Sequence, residues 1–191
     1  MKKIGVLALQ GDVEEHINTL LSASEKSGIP VQVVEVREKQ DMQGLDGIIL
    51  PGGESTAISR LIERAGVMGE ILRIRKIMGT CAGAVLLAKQ VHNAHEDQRF
   101  LSLMDISVAR NAYGSQLDSF EARITTVFGK IDGVFIRAPK LSISSEQVQP
   151  MAFHGEEVVA AYQKKSNRHF LALAFHPELT TTKFHEFFLK L

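Results

Sequence analysis

One cysteine, Cys81, lies in Gly79-Thr80-Cys81-Ala82-Gly83-Ala84, and Phe175-His176-Pro177-Glu178 follows far downstream. A lone thiol among small residues, with an imidazole and a carboxylate elsewhere in the chain, is the residue set of a nucleophile, a base and an orienting group. Gly79, Ala82 and Gly83 remove bulk around a sharp strand-to-helix turn, the logic of a nucleophile elbow with Cys in place of Ser. At the start of a helix the thiolate is favoured by the dipole and by unpaired N–H groups. A free thiol titrates near pH 8.5 and is mostly protonated at neutral pH, so a base is needed to activate it. Taken alone, Cys81 reads as a buried structural cysteine, since free Cys is among the most buried residue types.

His176 and Glu178 change that reading. In extended backbone, positions i and i+2 share a face, and Pro177 restricts the chain between them. Glu178 can then accept from one ring nitrogen and fix the tautomer, leaving the other nitrogen to face Cys81. Without Cys81, the pair would read as a strand-end histidine capped by a turn carboxylate. A third piece is Pro51-Gly52-Gly53-Glu54-Ser55-Thr56. Its glycines let backbone N–H groups approach a ligand, and an N–H from here together with that of Ala82 would form an oxyanion hole. The same stretch also reads as a turn with Ser55 or Thr56 as helix N-cap. It lacks the Gly-Lys-Ser/Thr ending of a phosphate loop. Arg110 and Arg137 stand at the ends of expected strands, where either can bind a carboxylate with two aligned hydrogen bonds or serve as a surface ion-pair residue. His92-x-x-His95-Glu96-Asp97 has no second ligand cluster and reads as a polar loop rather than a metal site. His16, His154, His169 and His185 show no partner pattern and receive no role.

These groups need a fold to bring them together. The chain has 191 residues, 45% of them hydrophobic and 23% charged, which suits a single globular domain over residues 1–191. Twenty-two basic residues against 22 acidic ones leave no net field for nucleic acid or an anionic membrane. A single cysteine excludes an internal disulfide framework and fits a reducing compartment. The basic, apolar start breaks at Gln10-Gly11-Asp12, too early for a signal peptide, and no stretch is long enough to span a membrane; a cytoplasmic protein is expected.

Residues 3–9, Val31–Val36, Gly47–Leu50 and residues 76–79 read as strands. Between them, Asp12-x-x-Glu15 reads as a capping box for a helix stopped by Gly28 and Pro30. Residues 56–65 read as a second helix, continuing after Gly66 into another through Arg73, and residues 82–89 as a helix after Cys81. This alternation predicts a parallel α/β sheet with right-handed crossovers. Strand patterns at 106–111, 120–126, 133–137, 157–163 and 169–175 crowd together and predict an antiparallel extension, closed by a helix over 181–191. Pro51-Gly52-Gly53, Cys81 and His176 all fall just past strand ends, where ligands bind in open α/β sheets.

The motifs together resemble the class I, triad-type glutamine amidotransferases: Gly-x-Cys-x-Gly at Gly79 to Gly83 and His-x-Glu at His176 to Glu178. The resemblance sharpens to the glutaminase subunits of pyridoxal 5′-phosphate synthases. It rests on Gly5 to Gly11, Leu50 to Thr56, Arg110-Asn111-x-Tyr113-Gly114 with Gln116 and Ser119-Phe120, Phe135 to Pro139, and Phe175 to Leu179. It implies a flavodoxin-like three-layer α/β/α sandwich and hydrolysis of L-glutamine to L-glutamate and ammonia, without cofactor or metal. Cys81, His176 and Glu178 would be the triad. Gly52, Gly53, Glu54, Arg110, Ile136 and Arg137 would bind glutamine, and Gly53 and Ala82 would form the oxyanion hole. It also implies a partner, a (β/α)8-barrel synthase subunit that receives the ammonia within a hetero-oligomeric complex and completes the oxyanion hole on docking. Other readings are the glutaminase of a different amidotransferase, a peptidase or chaperone of the DJ-1-like superfamily, and a non-catalytic docking subunit, which would have no need of Cys, His and Glu together.

Overall fold

Four strands whose buried positions are all apolar except Thr80 set the centre of the molecule. In the computed structural model, which describes residues 1–110 and 119–191, β1 (Lys2–Leu7), β3 (Gly47–Leu50), β4 (Lys76–Thr80) and β12 (Arg168–Leu173) lie side by side and parallel. Each buries its last four residues on both faces, as parallel strands covered on two sides must. β2 (Val31–Val36) adds a fifth parallel strand outside β1. On the other flank the sheet turns antiparallel through β11 (Glu157–Lys165), β10 (Val148–His154), β7 (Ser119–Thr126) and β8 (Gly129–Ile136). A separate three-stranded sheet joins β5 (Ala88–His92), β6 (Met104–Ala109) and β9 (Lys140–Ile143).

The helices supply the outer layers. α1 (Val13–Ser27) turns His16, Thr19, Leu20 and Ala23 inward, an i, i+3, i+4, i+7 stripe, and ends at Gly28 in the left-handed conformation that glycine adopts freely. It packs against α5 (Lys183–Lys190), which buries Phe184, His185, Phe188 and Leu189. α2 (Ser55–Arg64) packs against α4 (Ala82–Leu87), and the short α3 (Met68–Ile71) follows Gly66. The result is the expected α/β/α sandwich with parallel strands at its centre and an antiparallel extension. Among the described residues no helix is long and apolar enough to cross a membrane.

Three strands depart from the sequence reading. Residues 88–92 leave the helix expected over 82–89 and pair with β6 in parallel. β9 and β10 were not anticipated; Pro150, which demotes a strand pattern, sits where the β10–β11 register shifts, a place proline tolerates. Asp12 occupies the N-cap of α1, but its side chain makes no capping bond. The capping box is absent because that carboxylate is engaged elsewhere.

Candidate active site

The parallel strands end at one edge, and their ends carry the site. After β4, Cys81 takes φ 47° and ψ −103° as the N-cap of α4. That is a strained conformation for a residue with a side chain, held by Cys81 N–H donating to the Leu173 carbonyl at 2.8 Å. The elbow is tight: a Cβ on Gly83 would stand 2.0 Å from the Leu50 carbonyl oxygen. The Cys81 thiol is 3.6 Å from the Ile136 carbonyl oxygen at the end of β8. The first turn of α4 leaves the Ala82 N–H without an intrahelical partner.

β12 delivers the imidazole of His176. Phe175, fully buried, packs with ring centroids 5.7 Å from Phe135 and 5.6 Å from Phe184, and so anchors the residue before His176. His176 N–H donates to the Val134 carbonyl at 2.9 Å. Pro177 opens a short 3-10 turn, Pro177–Leu179, which brings Glu178 back beneath the ring. His176 Nδ1 lies 2.7 Å from Glu178 Oε1, and Nε2 is buried with no hydrogen-bond partner among the described residues. Gly52 is pressed against this ring: a Cβ there would come within 2.4 Å of His176 Cε1.

A second carboxylate also reaches His176. Asp12 Oδ2 lies 3.1 Å from Nδ1. Burial alone would lower the His176 pKa, but Asp12, Cys81 and Glu178 overcome it and push it up to about 12. The hydrogen bond to His176 holds the Asp12 carboxyl below its ordinary value, whereas burial raises Glu178 against the pull of the same ring. The proton shared among these groups therefore resides on the imidazole. Asp12, His176 and Glu178 are also a group whose potential metal-ligand atoms lie within 4.8 Å of one another, though a cation there would have to displace the Nδ1 proton. Asp12 escaped sequence reasoning because its position suited a helix cap. The signal was its place just beyond β1, at the same sheet edge as the other site residues.

The cleft over Cys81 has a volume of about 280 Å³ and is lined by Asp12, Cys81, His176 and the expected Gly53, Glu54, Ala82, Arg110, Ile136 and Arg137. Gly52 and Glu178 are set behind it, against the ring. Gly53, at φ 137°, faces solvent in a conformation reserved for glycine. Glu54, rather than Ser55 or Thr56, caps α2: its carboxylate accepts from Thr56 N–H at 3.0 Å and Ala57 N–H at 2.6 Å. Arg110 is already engaged, donating to Gln98 Oε1 at 2.7 Å, Thr56 Oγ1 at 3.2 Å and Glu54 Oε1 at 3.3 Å. Arg137, at φ 44°, is exposed, and among the described residues no carboxylate pairs with it. Asn111, Tyr113, Gly114 and Gln116 lie outside the described residues. The expected polar loop around His95 is exposed, and His92 ends β5 bonded to Ser107 Oγ at 2.9 Å.

Residues 6–191 match the sequence profile of the SNO glutamine amidotransferase family. The chain is 46% identical to the "Pyridoxal 5'-phosphate synthase subunit PdxT" of Thermococcus onnurineus, the alignment covering 100% of this chain and 98% of that one. The protein of the same description in Pyrococcus horikoshii is 44% identical, with 98% of each covered. A crystal structure of a glutamine amidotransferase superposes with a TM-score of 0.83 at 39% identity, over 98% of this chain and 97% of the other.

Proposed function

The chain belongs to the SNO glutamine amidotransferase family, and from that premise we propose that it hydrolyses L-glutamine to L-glutamate and ammonia for a pyridoxal 5′-phosphate synthase. Its partner in that role is a (β/α)8-barrel synthase subunit, and it acts as one domain in the cytoplasm. Full-length relatives described as subunits of that synthase support the assignment.

The observation that carries the chemistry is a histidine with one nitrogen tied to a buried carboxylate and the other, near the one thiol, without a hydrogen-bond partner among the described residues. Cys81, with its proton passed to His176, attacks the side-chain amide carbon of glutamine. The oxyanion that forms accepts from the Ala82 N–H and from an N–H of the Gly52-Gly53 turn. His176 then protonates the departing nitrogen, ammonia leaves, and a thioester remains on Cys81. Water activated by His176 attacks the thioester, releasing glutamate and the thiol. Glu178 keeps the ring in the productive tautomer throughout.

Substrate binding follows from which groups remain available. Arg137, exposed at the cleft, is the partner for the glutamine carboxylate, while Arg110 braces Glu54 and the turn that precedes it. Glu54 keeps an exposed edge for the substrate ammonium. The Ile136 carbonyl and the Gly52-Gly53 backbone border the amide.

Glutamate release from L-glutamine, measured with the synthase subunit present, tests the reading. Cys81→Ala should lose at least about 10³-fold in rate, the scale of losing a triad nucleophile. Release that persists in this variant, or none from folded wild type, would overturn it.

A further inference from the structure

Behind Glu178 lies a chain of buried polar groups that the triad mechanism does not use. His16 on α1, Thr80 at the end of β4 and His185 on α5 are all inaccessible to solvent, and the Glu178 side chain with them. His16 Nδ1 is 2.9 Å from His185 Nε2, and His16 Nε2 is 3.0 Å from Thr80 Oγ1. His16 Nε2 is also 3.5 Å from Glu178 Oε2. No hydrogen bond reaches that oxygen among the described residues, and the His16 ring nitrogen is the donor placed to supply one. One turn further along α1, Thr19 Oγ1 donates to the Glu178 backbone carbonyl at 3.0 Å. α1 therefore holds the Glu178 main chain by a hydrogen bond and sets the His16 ring beside its side chain.

A buried carboxylate oxygen left without a donor is costly, and the nearby ring offers one only in a single arrangement. With the proton on His16 Nε2, the N–H is shared between Thr80 Oγ1 and Glu178 Oε2. Nδ1 then accepts from His185 Nε2–H, and His185 Nδ1 is left as a bare acceptor, consistent with its lack of a partner among the described residues. The opposite tautomer would aim a nitrogen lone pair at the carboxylate and leave a buried N–H on His185 unpaired. Burial, then His185 and His176, hold His16 well below its ordinary pKa, so it has one ring proton to place.

We propose that His16 is a positioning residue for the triad: its Nε2–H fixes the second oxygen of Glu178, so that the first can orient His176, and His185 fixes the tautomer of His16. The inference rests on the glutaminase reading above. It assigns no step to His16; the effect reaches the substrate only through the aim of His176.

Kinetics of glutamate release by the full chain with the synthase subunit test it, using His16→Leu and His16→Gln. Leu fills the site without a donor, and Gln returns an N–H where Nε2 stood. His16→Leu should lower kcat by about 10–100-fold, the range for partners that orient a functional ligand, with KM changed by less than about twofold. His16→Gln should recover most of the loss. A Leu variant equal to wild type, or Leu and Gln variants equally impaired, overturns the proposal. Nitrogen NMR of the wild-type histidines decides it independently of how the variants fold: Nε2 of His16 should carry the proton and Nδ1 should not, and the reverse tautomer sinks the idea. A folded wild type that releases no glutamate defeats the glutaminase reading, while the tautomer still reports on the contact to Glu178.

Discussion

The two carboxylates on His176 occupy opposite surroundings. Asp12 stands at the mouth of the cleft with 35% of its side chain exposed; Glu178 stands behind the ring with none. Both are within hydrogen-bonding reach of the same nitrogen, at 3.1 and 2.7 Å. Water or substrate can replace Asp12, and solvent screens its charge. Nothing can replace Glu178, whose neighbours are His16, Thr19 and the ring itself. The front of the site is adjustable and the rear is set by packing, so under the proposed function burial, more than proximity to the ring, should mark the carboxylate that matters.

The sharpest way to break this contrast is a pair of isosteric substitutions. Glu178→Gln should cost roughly 10²–10⁴-fold in kcat for glutamate release, because the wrong tautomer then competes at the buried position. Asp12→Asn should stay within about tenfold. Equal losses would show that the mouth of the cleft matters as much as its rear. The same contrast extends to packing. Phe175→Ala, at the fully buried residue before His176, should destabilise the fold by about 3–5 kcal/mol in urea unfolding. Val127→Ala, at a position 59% exposed, should change it by less than about 0.5 kcal/mol.

A smaller effect separates the histidines by sign. Burial keeps His16 and His185 neutral in the folded protein, His185 down to about 3. Below their ordinary value of 6.5 an unfolded chain therefore takes up protons that the folded one refuses. Stability falls as pH drops from 6.5 toward about 3. His176 acts in the other direction. Its value rises from 6.5 to about 12, so its contribution is whole below 6.5 and is lost as pH climbs toward 12. Unfolding free energies measured against pH should show an acid limb that His185→Leu flattens, by up to about 1.4 kcal/mol per pH unit. A limb unchanged by that substitution would mean that the rear histidines do not titrate as their burial requires.

The sequence was most informative where one force acts alone. Gly47–Leu50 has the expected bounds because a continuous apolar run at the sheet centre answers to burial only, and Val31–Val36, an edge strand carrying Gln32 and Glu35, has them because Pro30 stops the chain before it. Cys81, His176, Glu178 and the Gly52-Gly53 turn meet because each follows a strand of the same sheet. The failures lie where tertiary pairing overrides local preference. Ala88 to His92 continue a helix-forming composition but become a strand against β6. Pro150 hides β10 by sitting at an irregular point in its ladder. Asp12 had a local use as a cap and a distant use as a ring partner, and only the fold shows that the distant one prevails. His16 and His185 carried no pattern because their partners are each other, 169 positions apart.

That separation has a consequence for synthesis. α1 is made before every strand but β1 and α5 after every described strand, yet they meet through a His16–His185 bond directly behind Glu178. Since chains emerge N-terminus first, the thiol of Cys81 is made before the His176 imidazole, the Glu178 carboxylate and α5. A nascent chain therefore bears Cys81 before the groups proposed to complete its triad, and the buried contact behind Glu178 can form only once α5 has been made.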